Sequence, residues 1–88
     1  MSHRLTVHVR FEPHEPTAVV ECTVHDRAGP ELGAGLDALV EHLFGHHDCV
    51  RVVTFVHAAD EAVQGMWEAA GLRAVAVDGD ELVYHRGR

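Results

Sequence analysis

Residues 50–72 read VRVVTFVHAADEAVQGMWEAAGL and contain a strand, a helix and a helix stop in succession. Val50 to His57 is an almost continuous apolar and β-branched run, which is typical of a central strand covered on both faces. From about Ala59 to Ala70 the apolar residues recur at helical spacing and form one stripe: Ala59, Ala62, Val63, Met66, Trp67 and Ala70. Gly71 suits the position just after a helix end. The stretch therefore predicts a buried strand followed by an amphipathic helix.

A hairpin is predicted on each side of this central stretch. Downstream, Leu72 to Val77 and Glu81 to His85 flank Asp78-Gly79-Asp80, and Asp-Gly is a strong signal for a tight turn. Upstream, Arg4 to Phe11 alternates between apolar and polar residues, and Thr17 to His25 does so in part. The segment between them contains Pro13 and Pro16, which lack the ladder donor that a continuing strand needs.

A second amphipathic helix is predicted between the upstream hairpin and the central strand. Its apolar residues are Leu32, Leu36, Leu39, Val40, Leu43 and Phe44, and Gly45 is its expected end. The full order is then β-β-α-β-α-β-β. It predicts an α/β (α+β) fold in a single domain over residues 1–88, with a mixed, mostly antiparallel sheet of about five strands and two helices.

Composition excludes several classes of function. The chain has 88 residues, no Lys and a formal net charge of −7, which argues against a nucleic-acid binder because such a protein needs a basic face. No apolar run approaches the ~20 residues of a membrane span, and residues 1–8 lack the apolar stretch of a signal peptide. Cys22 and Cys49 do not form a disulfide framework. A soluble, cytoplasmic protein without membrane contacts is expected.

Two motifs, together with the order of elements, point to a family. Gly33-Ala34-Gly35 at the start of the first helix is similar to an (Arg/Gln)-x-x-Gly-x-(Gly/Ala) loop. Residues 60–72, DEAVQGMWEAAGL, are similar to an Asn-x-x-Ala-x-x-x-Tyr-x-x-x-Gly-Phe segment. Both patterns belong to the GNAT superfamily of acetyl-CoA-dependent N-acetyltransferases. The chain resembles the C-terminal portion of that fold over nearly its whole length.

The resemblance implies acetyl-CoA as co-substrate. Glycines at a helix N-terminus let the backbone approach a phosphate, and the helix dipole favours the negative charge. By this resemblance the amides of Gly33, Ala34, Gly35 and Leu36 would bind the pyrophosphate of coenzyme A. The pantetheine arm would lie along the end of the second strand, around Val24, and Arg27 would offset the negative charge of Glu31.

The chain departs from the family pattern at Asp60 and Leu72, which replace its Asn and Phe, and at three positions that bear on the chemistry. Pro30 replaces the Arg or Gln of the loop, and Glu31 places a negative charge where a pyrophosphate should lie. Trp67 replaces the Tyr that often protonates the departing thiolate. An indole N–H does not ionise near neutrality, and Trp67 belongs to the apolar stripe, so we expect it to pack in the core.

Glu21 is the candidate catalytic base, because it lies in mid-strand opposite the buried face and several family members have a carboxylate in this region. The alternative is an exposed strand residue paired with Arg4 or Arg10 on the neighbouring strand. His25 is a lesser candidate for the same role.

The expected activity is transfer of an acetyl group to a small-molecule or peptide amine. The alternative is a non-catalytic GNAT-like module for dimerisation or partner binding, which the three departures favour. A third interpretation is a metal site at a cluster of potential ligands: His42, His46, His47, Asp48 and Cys49. Histidines that cap the end of the helix explain the same residues, and we expect no metal. Because the first half of the family's fold has no counterpart here, a homodimer or a partner chain is expected to cover the exposed surfaces.

Overall fold

The computed structural model describes residues 5–24, 30–46 and 49–88. In chain order these form β1 (Leu5–Phe11), β2 (Thr17–Val24), α1 (Pro30–His46), β3 (Arg51–His57), α2 (Glu61–Ala69), β4 (Arg73–Asp78) and β5 (Glu81–Gly87). The predicted α+β class and the predicted order of elements are confirmed. Neither described helix is both long and apolar enough to cross a membrane.

One five-stranded sheet runs through the molecule in the order β1-β2-β3-β5-β4. The neighbours β1 and β2, β3 and β5, and β4 and β5 are antiparallel, whereas β2 and β3 are parallel. This is the mixed, mostly antiparallel sheet that the sequence predicts. The single parallel pair arises because α1 carries the chain from the end of β2 back to the start of β3.

Both helices pack against the same face of the sheet. The register aligns Ala18 with Val52 and Thr54 with Tyr84, so these inward side chains share one face. They form one core with buried residues of both helices: Leu32, Leu36, Val40, Leu43, Phe44, Met66, Trp67 and Ala70. The opposite face, called the open face below, carries every second residue of the strands, among them Glu21 and Phe55.

The expectation that β3 is covered on both faces is wrong. The strand is central, but its residues alternate between buried and more exposed, and Phe55 on the open face is 44% exposed. Residue type alone could not show this, because Val53 and Phe55 are as apolar as the buried Val52 and Val56. The placement of both helices on one face makes the difference.

The first helix is longer than predicted at both ends. It begins at Pro30, a residue suited to the first helical position because a proline has no N–H to leave unpaired there. It continues through Gly45 to His46, so the expected stop at Gly45 is wrong. Phe44, immediately before this glycine, is only 6% exposed, and its packing in the core holds the last turn against glycine's low helix propensity.

The second helix ends as predicted. Asp60 caps its start by accepting a hydrogen bond from the backbone N–H of Val63 at 3.3 Å. Gly71 follows its end with a φ of +90°, a left-handed conformation that favours glycine. Trp67 is 1% exposed, which confirms that it packs in the core.

Candidate functional site

The parallel strands β2 and β3 separate along their length. They pair only where Thr17–Val19 faces Arg51–Val53, although β2 continues to Val24 and β3 to His57. Beyond this paired part, the described residues of β2 and β3 do not pair with each other. The sheet thus contains an internal gap, open at the carboxyl ends of both strands, which we call the splay.

A buried hydroxyl marks the point where the splay begins. The Oγ1 of Thr54 donates a 2.7 Å hydrogen bond to the carbonyl oxygen of Val20, and Thr54 is 2% exposed. A side chain therefore satisfies a carbonyl that lies just past the last paired residue, Val19. This matters because a buried carbonyl without a partner is costly.

The open side of the splay, which we call its mouth, lies at the end of the sheet where β2 and β3 each lead towards a helix. The carboxyl ends of β2 and β3 lie on the same side because the strands are parallel, and α1 and α2 follow them in the chain. In sheets with parallel strands, ligands bind outside these carboxyl ends at the point where neighbouring connections diverge. Helix N-termini there present free N–H groups and the positive end of the dipole.

The predicted phosphate-binding residues lie slightly further into α1 than expected. The helix begins at Pro30, three residues before Gly33, so Gly33 to Leu36 occupy its first and second turns. Only the first few N–H groups of a helix lack partners within it, and those past Pro30 belong to Glu31 and Leu32. Val24 is the last residue of β2, and Arg27 lies outside the described residues.

The two glycines of the predicted loop have different surroundings. A Cβ added to Gly33 would lie 2.5 Å from the Cβ of Ala69 and 2.7 Å from the backbone oxygen of Met66. Gly33 is therefore required for close packing of α1 on α2. A Cβ on Gly35 would have no atom within 4 Å, so this glycine is open to solvent or to a ligand. The roles of both in binding phosphate stay predictions.

Glu21 lies on the open face of β2, and Arg10, one of the two partners considered for it, is opposite Val19 instead. The register places His8 of β1 directly opposite Glu21. Arg10 is instead within 3.6 Å of Glu12, measured from Nη2 to Oε1. Arg4 and His25 lie outside the described residues. The sequence does contain the signal for the His8 neighbour, but only once the register of the hairpin is known.

An arginine that sequence reasoning missed joins three elements at the other end of the sheet. Arg86 of β5 donates to Asp37 at 2.6 Å, to Glu41, and to the carbonyl of Ala70 at 3.0 Å. Its guanidinium carbon lies 5.8 Å from the ring centroid of Phe44. Burial lowers the pKa of Arg86, but the hydrogen bonds and charges of Asp37 and Glu41 outweigh it and raise the pKa overall.

A surface depression of about 270 Å³ adjoins this arginine. Its lining residues are Glu41, Phe44, Gly45, Arg86, Gly87 and Arg88. They belong to the end of α1 and the end of β5, at the opposite end of the sheet from the mouth of the splay. Because Asp37 and Glu41 already bind the guanidinium of Arg86, we attribute the depression to the way α1 packs on the sheet and do not count it as part of the candidate site.

Tyr84 is the tyrosine of the chain, and it does not replace the family's acid. Its hydroxyl donates to Oε2 of Glu68 at 2.8 Å, and the residue is 2% exposed. Burial, followed by the hydrogen bond and the charge of Glu68, raises the pKa of Tyr84 to about 12. A phenol that holds its proton this strongly beneath the helices is a poor proton donor at neutral pH.

The histidine-rich segment shows no metal site within the parts of the chain that are described. No group of three or more His, Cys, Asp or Glu side chains there is arranged to hold a metal ion. The rings of His42 and His46 lie 4.4 Å apart between centroids and are tilted by 31°, and buried Cys49 donates to the carbonyl of Arg51. His47 and Asp48 lie outside the described residues.

Comparison with known proteins identifies the fold. No protein-family model matches the sequence, and no curated protein matches it. A solved acetyltransferase of the GNAT family from Bacillus anthracis superimposes with a TM-score of 0.72 at 13% identity, over 92% of this chain and 56% of that one. The chain has a GNAT fold.

Other solved structures agree with this assignment. The aminoglycoside acetyltransferase AAC(6')-Ib, in complex with coenzyme A and kanamycin, matches 83% of this GNAT-fold chain with a TM-score of 0.67 and 15% identity. The chain covers 46% of that enzyme. A Sphaerobacter thermophilus protein whose description names an acetyltransferase matches 91% at a TM-score of 0.62 and 22% identity. The chain thus spans about half the length of these relatives. The predicted resemblance to part of the GNAT fold is confirmed.

Proposed function

We propose that the chain binds acetyl-CoA in the splay and transfers the acetyl group to a small-molecule or peptide amine. The splay carries this proposal, because it leaves two strand edges without ladder partners in the middle of a sheet. The pantetheine arm of coenzyme A contains two amide groups, which can hydrogen-bond to such an edge as a short added strand would. That the aminoglycoside acetyltransferase with the same fold holds coenzyme A supports the choice of ligand.

The start of α1 supplies the proposed phosphate site. The pyrophosphate would lie against the first turn of this helix, where the free N–H groups belong to Glu31 and Leu32. The sequence predicts Gly33, Ala34, Gly35, Leu36 and Arg27 as further contacts. The net charge of −7 gives no long-range attraction for an anionic ligand. Backbone amides, the helix dipole and a few arginines must therefore supply the attraction.

Glu21 would act as the base in this reaction. An amine acceptor arrives as an ammonium ion at neutral pH, and Glu21 takes one proton from it. The free amine attacks the thioester carbonyl, the C–S bond breaks with its electron pair on sulfur, and the proton leaving the new amide nitrogen neutralises the thiolate. This route needs no tyrosine acid, which is consistent with Trp67 being buried at that motif position.

A second candidate function is a non-catalytic module that acts through its surfaces. The observation in its favour is the open face, where Phe55 is 44% exposed in the middle of the sheet. A homodimer or a partner chain that covers Phe55 would suit either function, and we prefer the homodimer because symmetric dimers are the commonest oligomers. A monomer mass in light scattering at micromolar concentration would argue against the homodimer.

Calorimetry with acetyl-CoA tests the proposed ligand. Gly35→Asp is the informative variant, because a Cβ there would meet no atom within 4 Å and the carboxylate adds negative charge where the pyrophosphate would bind. We expect it to weaken binding at least tenfold without lowering the melting temperature. Gly45→Asp is the control, because a Cβ there is equally unhindered and the residue lies in the same helix but far from the splay. The affinity of this variant for acetyl-CoA should equal that of the wild-type protein. Gly33→Asp is unsuitable because it would disrupt the packing of α1 on α2.

The outcomes separate the two functions. No heat and no thermal shift at millimolar acetyl-CoA would contradict the proposal. Binding without thiol release across a panel of amines would favour the non-catalytic module. Binding that Gly35→Asp and Gly45→Asp weaken equally would show that the start of α1 does not hold the phosphates.

A further inference from the structure

The hairpin of β1 and β2 places an imidazole beside the proposed base. His8 and Glu21 are directly opposite each other in the antiparallel register, so their side chains project from the same face of the sheet. Cβ atoms of residues paired in this way are about 4.5–5.5 Å apart. Both residues are exposed, so their side chains can move into contact and also reach solvent.

The pair lies beside the splay. Glu21 is two residues beyond Val19, the last residue of β2 that pairs with β3. His8 lies on the far side of Glu21, on β1, which is an edge strand of the sheet. A proton removed from an acceptor in the splay would thus pass from Glu21 to His8 and then to water, in a line across the open face.

We propose that His8 is a positioning residue for the acetyl transfer, which orients the Glu21 carboxylate and accepts the proton that Glu21 removes from the acceptor ammonium. This inference rests on the proposed function. No bond other than O–H and N–H changes at this pair: Glu21 gains the ammonium proton, His8 takes it, and water carries it away. Glu21 returns to its ionised form before the next acceptor binds.

Few other charged groups face this pair. On the open face the neighbours of His8 along β1 are Thr6 and Arg10, and those of Glu21 along β2 are Val19 and Thr23. Both described helices pack on the opposite face. Of these neighbours, Arg10 alone is charged, and it lies near Glu12. Among these open-face neighbours, His8 is therefore the group placed to exchange a proton with Glu21.

The test is a double-mutant cycle on acetyl transfer to an amine that the wild-type protein acetylates. Glu21→Gln should lower kcat by 100-fold or more, the usual range for loss of a base. His8→Gln should lower kcat about fivefold to tenfold and leave the KM for acetyl-CoA unchanged. The double variant should be no slower than Glu21→Gln alone, because His8 acts through Glu21.

His14→Gln is the matched control, because His14 is an exposed histidine in the turn of the same hairpin. A His8→Gln variant that behaves like His14→Gln, or whose effect adds to that of Glu21→Gln, would overturn the inference. Wild-type protein that binds acetyl-CoA without transferring the acetyl group would overturn it too. A wild-type protein that does not bind acetyl-CoA would instead contradict the proposed function, so the two failures are distinguishable.

Discussion

The two ends of the sheet are built differently. At one end β2 and β3 pair, the backbone N–H of Val50 donates to the carbonyl of Pro16, and Arg86 ties β5 to α1 and α2. At the other end the same two strands separate, and one hydroxyl, that of Thr54, spans the point of divergence. We refer to these as the closed end and the splayed end.

The difference shows how a small sheet can combine stability with a binding site. Hydrogen bonds at the closed end are satisfied within the chain, so they contribute to the free energy of unfolding and leave nothing for a ligand. Strand edges at the splayed end keep hydrogen-bonding capacity that a ligand could use. Substitutions at the closed end should therefore change stability alone, whereas substitutions at the splayed end should change ligand binding as well.

The largest expected effect on stability comes from the closed end. Arg86→Met removes the bonds to Asp37, Glu41 and the carbonyl of Ala70, and we expect the free energy of unfolding to fall by about 2–3 kcal/mol. The midpoint of urea denaturation measures this loss. Affinity for acetyl-CoA, measured well below the melting temperature, should not change.

Arg10→Met is the control for Arg86→Met. Arg10 has an exposed side chain and an ion pair with Glu12 on the same hairpin, and such surface pairs are worth at most about 1 kcal/mol. Equal losses in the two variants would show that the Arg86 cluster does not specially stabilise the closed end.

An intermediate effect is expected where the splay begins. Thr54→Val keeps the shape of the side chain but leaves the carbonyl of Val20 without its hydrogen bond, which should cost about 1–2 kcal/mol. Acetyl-CoA should also bind more weakly, because the strand edges near Val20 are no longer fixed. Thermal melting and calorimetry measure the two effects.

Thr54→Ser retains the hydroxyl and serves as the control for Thr54→Val. It should recover most of the affinity, with a small loss of stability from the missing methyl group. If Thr54→Val lowers stability and leaves affinity unchanged, the splay is not where acetyl-CoA binds.

The smallest effect on stability at neutral pH is expected from the ionisation of Tyr84. This residue lies opposite Thr54 on the face of the sheet that the helices cover. Its pKa in the folded protein is about 12, above the ordinary value of about 10, so folding favours the protonated phenol. The stability that this group contributes is complete below pH 10 and is lost as the pH rises towards 12 and beyond. Because the chain has one tyrosine, absorbance near 295 nm follows this titration directly.

Glu68→Gln separates the causes of the raised pKa of Tyr84. It removes the charge of Glu68 but not the burial, which is the larger cause, so most of the shift should remain. A midpoint near 10 in the folded wild-type protein would mean that Tyr84 is more accessible to water than its 2% exposure indicates.

The local parts of the fold could be predicted because their signals lie within short stretches. Helical spacing placed Met66 and Trp67 in the core, and glycine chemistry placed the end of α2 at Gly71. The extension of α1 through Gly45 could not be predicted in this way, because contacts with residues far along the chain hold its last turn. The same holds for β3, whose exposed face depends on where both helices pack.

The sequence by itself determined the order of the elements and the resemblance to part of the GNAT fold, and it predicts a set of acetyl-CoA-binding residues. Tertiary structure alone decided that β2 and β3 separate after Val19, that Gly33 serves helix packing while Gly35 is open, and that His8 stands beside Glu21. The physical reason is that periodicity and turn propensities act between near neighbours in the chain. Strand register and helix contact join distant residues, which in these three cases are 13 to 36 positions apart.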